Sequence, residues 1–265
     1  MAITTVDGYI GAVKQRITWM KSASRTAVAA SPFSVFDLAG TPGAGTLGGT
    51  STTTGVVPTD ATAGCPAITF SSGTGYLTNV QFNSPVAGVL RLYDVLWKAG
   101  AYTFNASTTG QTPTSFLSRI PGGTAADTAG CTEIWAEQVT AGTLVQNIAV
   151  TYNDEAGASS TTGTIAAPAA MIVGRMFQLP LASGDDGCSG VTGVVGSVAS
   201  AGTFNILVMR PLWSGRIALA NDQGVHGLDM TGMPIVFSDS AIFGMIIPDS
   251  TATSTPYMTF EIASA

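Results

Sequence analysis

The sequence predicts an all-β protein made of two tandem antiparallel β-sandwich or jelly-roll-like lobes, preceded by a short N-terminal amphipathic helix. Three observations lead there. From Ser31 onward, short apolar runs alternate with clusters of Gly, Pro, Ser and Thr, the rhythm of strands and turns. No strand pattern alternates with long helical segments, as a parallel sheet would need. Finally, one stretch occurs twice. Leu90-Arg91-Leu92-Tyr93-Asp94-Val95-Leu96-Trp97, closed by Gly100, returns as Ile206-Leu207-Val208-Met209-Arg210-Pro211-Leu212-Trp213, closed by Gly215. Internal self-similarity of this kind points to a repeated architecture.

In chain order, residues 5–22 are the one good helix candidate. Ile10, Val13, Ile17 and Met20 recur at three- and four-residue spacing, and Lys14, Arg16 and Lys21 fall mainly off that stripe. Thr5 or Asp7 would cap it. An isolated helix of this length is marginal in water, so the stripe must be covered by the protein's own body or by another subunit. Strands are expected at Phe33–Leu38, Ala67–Phe70, Tyr76–Phe82, Val86–Leu96, Ala101–Asn105, Glu133–Val139 and Asn147–Tyr152. The run Asn153–Ala170 has little periodicity and reads as an interdomain linker. Strands resume at Met171–Leu181, Gly190–Ala199, Thr203–Leu212, Arg216–Ala220, Pro234–Phe237, Ile242–Ile247 and Tyr257–Ile262. The expected layout is an N-terminal helix or arm (1–30), a first sandwich (31–155), a linker (156–170) and a second sandwich (171–265). Trp97 and Trp213 end continuous apolar runs and are expected in the cores, where an aromatic buries about 150–250 Å².

Composition narrows the function. Charged residues make up 10% of the chain, against about 25% in an average soluble protein, so the surface is expected to be neutral and small-chained. Residues 1–30 hold four basic side chains against Asp7, a net of +3, and the remainder carries a net of −9. Four charges without an aromatic ladder make poor support for nucleic-acid binding. Cys65, Cys131 and Cys188 are odd in number and far apart, so no disulfide framework is implied. No segment has the roughly 18 apolar residues of a membrane span, and no signal-peptide core opens the chain. The expectation is a soluble product of the cytoplasm.

Candidate chemistry is thin. Gly43-Ala44-Gly45-Thr46-Leu47-Gly48 fits a dinucleotide-loop pattern, but it runs into more Gly and Thr, a poor helix start. His226 is the only histidine and sits in a turn-like stretch, which predicts a solvent-facing loop position. Glu133 and Glu137 on one strand would lie roughly 13 Å apart, too far for a glycosidase pair. They are expected on one solvated strand face. Asp185-Asp186-Gly187 and Asn153-Asp154-Glu155 offer oxygen ligands for calcium but lack an EF-hand loop. No catalytic set, cofactor site or metal site is predicted.

Four stretches resemble structural proteins of tailed bacteriophages: the run from Trp213 (WSGRIALANDQGVHGLDMTGMPIVF) to the end, DGYIGAVKQRITWMKSASRTAV from Asp7, FDLAGTPGAGTLGG from Phe36, and VVPTDATAG from Val56. The resemblance implies a virion component made in the host cytoplasm, of the head decoration (cement) type. Its implied partners are the major capsid protein and copies of itself, with a trimer as the implied assembly. The N-terminal helix is then the expected partner contact, through Tyr9, Ile10, Val13, Lys14, Arg16, Ile17, Met20 and Lys21. Removing residues 1–25 would on this reading leave the body folded. The alternative is a tail, collar or fibre component that binds glycans.

Overall fold

A computed structural model of the chain describes residues 3–26, 28–48, 50–70, 74–104, 109–142, 144–167, 172–196, 200–251 and 255–264. Helix α1 (Val6–Gly11) precedes strand β1 (Val13–Lys21), followed by β2 (Phe33–Ser34) and β3 (Gly40–Thr41). Next come β4 (Thr74–Asn83), β5 (Gly88–Phe104), β6 (Thr109–Gly110), β7 (Glu133–Thr140) and β8 (Gln146–Asn153). They lead to β9 (Ser159–Thr161), β10 (Ile165–Ala167), β11 (Met176–Leu179), β12 (Gly190–Gly196) and β13 (Ser200–Ile217). The chain closes with β14 (Gln223–His226), helix α2 (Leu228–Thr231), β15 (Ile235–Phe237), β16 (Ile242–Pro248) and β17 (Tyr257–Ser264). The protein is all-β, and the strand pairs are antiparallel.

Two compact units form, and neither is a contiguous half of the chain. The first comprises Met1–Gly45, Thr59–Asp94 and Leu212–Ala265; the second comprises Thr46–Pro58 and Val95–Pro211. The expected layout of 31–155 and 171–265 around a linker is therefore corrected. Residues 159–161 and 165–167 of that linker are strands β9 and β10, both paired with β8. Apart from Ile165, which packs against the core, their side chains are Ser, Thr and Ala and show no apolar alternation, but backbone pairing needs none. Residues 168–170 lie outside the described residues, as do Gly49, Asn105, Met171 and 197–199 of other expected segments.

The echoing stretches have a different meaning from the one expected. They are the middles of β5 and β13, where the chain leaves one unit and enters the other, at Asp94/Val95 and Pro211/Leu212. Trp97 is among the first residues to re-enter the second unit, and Trp213 among the first to re-enter the first unit. Both are core residues, as expected, at 0% and 6% exposure.

In the first unit one sheet has the order β14-β4-β17-β1-β3, with β15 also on β4. Its inward residues include Ile17, Trp19, Leu77, Phe82, Met258 and Phe260. They share a core with Leu90 and Leu92 of β5, Phe33 of β2, and Ile242 and Ile246 of β16. The Trp19 ring lies against Gly244 of β16, where a Cβ would come within 2.4 Å of it. Only glycine allows that close approach of the layers. In the second unit, β10-β8-β12-β6 form one sheet, and β11 and β7 join β13. Trp97, Phe104, Ile134, Ile148, Val150, Val194, Phe204 and Val208 fill the core there.

The N-terminal helix is short, and its expected continuation is corrected. Val13–Lys21 is a strand held on one edge by β17 and on the other, at Met20 and Lys21, by β3. From Ile17 on, burial alternates: Ile17, Trp19 and Lys21 face inward, and Thr18 and Met20 outward. Tertiary pairing on both edges overrides a helical spacing that β-branched and aromatic residues support only weakly. β1 is a built-in strand of the first unit, so removing residues 1–25 would dismantle the sheet and not merely trim an arm.

Candidate contact surface

The eight residues expected to contact a partner are not one stripe. Ile17 and Lys21 are buried in the first unit. Lys21 donates from Nζ to the carbonyls of Pro42 (2.8 Å) and Gly43 (3.2 Å), and burial pulls its pKa below the ordinary lysine value although the Asp37 carboxylate opposes this. Tyr9, within α1, donates its hydroxyl to Glu261 at 2.8 Å. That bond, with desolvation, raises the Tyr9 pKa. Lys14 folds back onto the carbonyl of Tyr9 (2.8 Å) and sits over its ring at 4.6 Å. Arg16 reaches to within 3.9 Å of Glu261 from a largely exposed position. Ile10, Val13 and Met20 remain exposed. Nor is the basic N-terminus a free cationic arm, since Arg25 is bound to Asp37 at 2.5 Å.

The register places a different surface on the outer side of the same sheet. Met20, Tyr257, Asn83 and Gln223 are direct cross-strand partners in a row over β1, β17, β4 and β14. Thr18, Thr259, Gln81 and Val225 form the next row. Every one of these eight side chains is uncharged. Each is at least partly exposed, because its strand neighbours Trp19, Met258, Phe82 and Phe260 take the inward positions. Arg16 and Glu261 form the next paired position and close one end of the patch. Among the described residues, eight of the eleven exposed large hydrophobics belong to this unit, including Met20, Tyr257 and Val225. The signal was present in the sequence as the polar half of each alternation, but which strands lie side by side was not.

The residues considered for chemistry have structural partners. His226 is corrected from a loop position to the end of β14, where Nδ1 accepts from Trp213 Nε1 at 2.9 Å and the ring stands edge-on to Phe82. Glu133 and Glu137 do not share a solvated face. Glu133 accepts from Trp135 Nε1 at 2.8 Å, and Glu137 is fully buried. The two acidic turns meet: Glu155 accepts from the backbone N–H groups of Asp186 and Gly187, and Asp185 accepts from Tyr152. Among the described residues, no group of three or more His, Cys, Asp or Glu side chains is arranged to hold a metal. The glycines at 43–48 lie in a loop, with Gly45 N–H bonded to the Phe36 carbonyl. The three cysteines are free thiols. Among the described residues no helix is long and apolar enough to cross a membrane.

No family model matches this chain, and neither does any curated protein. Solved structures similar to it include the infectious bursal disease virus VP2 subviral particle, at 8% identity and a TM-score of 0.20 over 96% of this chain and 80% of that one. The T13 viral particle of the same virus is similar at 9% identity and 0.21, over 96% and 78%. The virus's Gt strain structure gives 10% and 0.19, over 95% and 81%. Likeness at these scores does not establish a shared role.

Proposed function

We propose that this chain is a structural subunit of a virion, of the capsid decoration (cement) type, whose partners are the major capsid protein and further copies of itself. The observation that carries the proposal is the uncharged outer face built by the two rows from β1 to β14. Charged groups are depleted in the cores of protein interfaces because their desolvation is costly. A face offering Thr, Asn, Gln, Met, Tyr and Val can be covered at little such cost. The face spans four strands, roughly 15–20 Å at the usual strand spacing. A typical stable interface buries about 800 Å² on each partner, so this patch is one part of a larger contact. Repetition of that contact over a lattice would raise the net affinity. The resemblance of the four quoted stretches to tailed-phage structural proteins agrees with this reading. In it the chain turns over no external substrate, and a trimer is the assembly the resemblance favours.

The glycan-binding alternative would rest on Tyr257, the one aromatic among the exposed large hydrophobics of the described residues. Co-sedimentation of the purified full chain with particles lacking it tests the proposal. Saturable binding, weakened when Thr259 is changed to Lys, is expected. Absence of binding, combined with retention of glycans on an array, would replace it with the alternative.

A further inference from the structure

The second unit encloses a lysine, a glutamate and an asparagine on three neighbouring strands. Glu137 on β7 is the direct cross-strand partner of Asn205 on β13, and β13 is flanked on its other side by β5, which carries Lys98. Glu137 and Asn205 are completely buried, and Lys98 is 6% exposed. A single carboxylate oxygen, Glu137 Oε2, accepts from Asn205 Nδ2 at 3.1 Å and lies 3.9 Å from Lys98 Nζ. One short segment anchors both nitrogens: Lys98 Nζ donates to the Thr46 carbonyl at 3.0 Å and Asn205 Nδ2 to the Leu47 carbonyl at 2.5 Å. The Asn205 carboxamide occupies the space over Gly100, which lies two residues along β5 from Lys98 and so on the same face of the strand. A Cβ at Gly100 would come within 2.2 Å of Asn205 Oδ1 and 3.0 Å of its Cγ. Glycine there lets the carboxamide lie down on the lysine's own strand.

As a passive arrangement the cluster is expensive. It withdraws an ion pair from water, and it leaves Glu137 Oε1 and Asn205 Oδ1 buried with no hydrogen-bond partner. We propose that it is a reaction site, at which Lys98 and Asn205 become joined by an amide bond inside the folded unit, with Glu137 carrying the protons. The Lys98 ammonium gives one proton to Glu137, and the freed amine adds to Cγ of Asn205, forming the Nζ–Cγ bond. Glu137 then passes its proton to Nδ2 and takes a second from Nζ. The Cγ–Nδ2 bond breaks and ammonia leaves. The products are a secondary amide between the two side chains, one ammonia and a neutral Glu137. Nothing is oxidised or reduced, and the buried charges are gone. The same Glu137 oxygen is hydrogen-bonded to the nitrogen that must gain a proton (3.1 Å) and ion-paired, at 3.9 Å, with the nitrogen that must lose two, so a small approach of the ammonium completes the geometry a proton shuttle needs. Burial keeps the amine and the carboxamide beside one carboxylate oxygen and on the adjacent carbonyls of Thr46 and Leu47, so a reaction negligible between free side chains gains from proximity. The bond would tie β5 to β13 across a long stretch of sequence, the kind of closure that restricts the unfolded chain most. This inference stands independently of the virion reading.

Intact-mass measurement of the purified full chain, followed by peptide mapping, tests it. The expected mass is one ammonia below that of the sequence, with a branched peptide joining the Lys98 and Asn205 segments. Glu137→Gln and Lys98→Arg should each restore the full mass, with both segments recovered as linear peptides. The wild-type result decides the matter even if a variant fails to fold. Full mass with Lys98 and Asn205 in separate linear peptides overturns the proposal, as does an ammonia loss mapped to any other residue. Ammonia loss that persists in Glu137→Gln removes Glu137 from the reaction.

Discussion

Trp213 donates its indole N–H to Nδ1 of His226 at 2.9 Å, and both rings stand edge-on to Phe82. This pair turns the only histidine of the chain into a packing element and fixes its remaining ring proton on Nε2. Trp213→Phe keeps most of the apolar area but strands the imidazole nitrogen. The expected cost is about 1–2 kcal/mol in urea unfolding. Trp213→Ala, which also opens a cavity, should cost about 3–5 kcal/mol.

Position 17 and position 20 give opposite answers in a strand and similar answers in a helix with both on one stripe. Ile17 is buried beside Phe260, whereas Met20 is exposed opposite Tyr257. Ile17→Ala should therefore cost about 2–5 kcal/mol, and Met20→Ala no more than roughly 0.5 kcal/mol. Equal losses in chemical denaturation would contradict the strand.

Alkaline pH should destabilise the second unit through Cys188. Its thiol is fully buried, and desolvation pushes its pKa from 9.0 up to about 12. The folded state therefore holds this proton more tightly than the unfolded chain does. The associated stability is complete below about pH 9 and falls as pH rises toward 12, with a slope of roughly 1.4 kcal/mol per pH unit for one such group. Cys188→Ala should flatten that part of the stability curve. In the folded protein Cys188 should also resist thiol reagents that label the partly exposed Cys65 and Cys131.

The contact face should tolerate a charge when the protein is free but not when it is bound. Thr259→Lys lies in the centre of the second row, between Thr18 and Gln81, and should change stability by no more than about 0.5 kcal/mol. Its binding to particles should nevertheless be weakened. Ser159→Lys, on an exposed position of β9 in the other unit, should bind like the parent.

Much of this architecture is legible in the sequence. The all-β class, the segments that became β4, β7, β8 and β15 to β17, and the burial of Trp97 and Trp213 follow from apolar runs and turn residues. The long strands β5 and β13 each look like two pieces in the sequence, because Gly100 and Gly215 resemble terminators but lie within continuous strands. β1 was hidden because Ile10, Val13, Ile17 and Met20 also fit a helical period. The alternation from Ile17 to Lys21 was the competing signal, and pairing with β17 decided between them. The unit boundaries were not legible, since β9 carries only small polar side chains, β10 has Ile165 beside two alanines, and the exchange occurs inside apolar runs. Lys98, Glu137 and Asn205 are each visible as a polar residue set in an apolar strand. What brings them together is the order of three strands distant in sequence, which no local pattern encodes.

The central claim, that this chain holds other subunits together, is tested most directly by its copy number in purified particles, measured by quantitative gel densitometry against the major capsid protein. A fixed simple ratio to the capsid subunit is the result expected of a lattice-binding protein. Absence from the particle, or a few copies unrelated to the capsid stoichiometry, would contradict it.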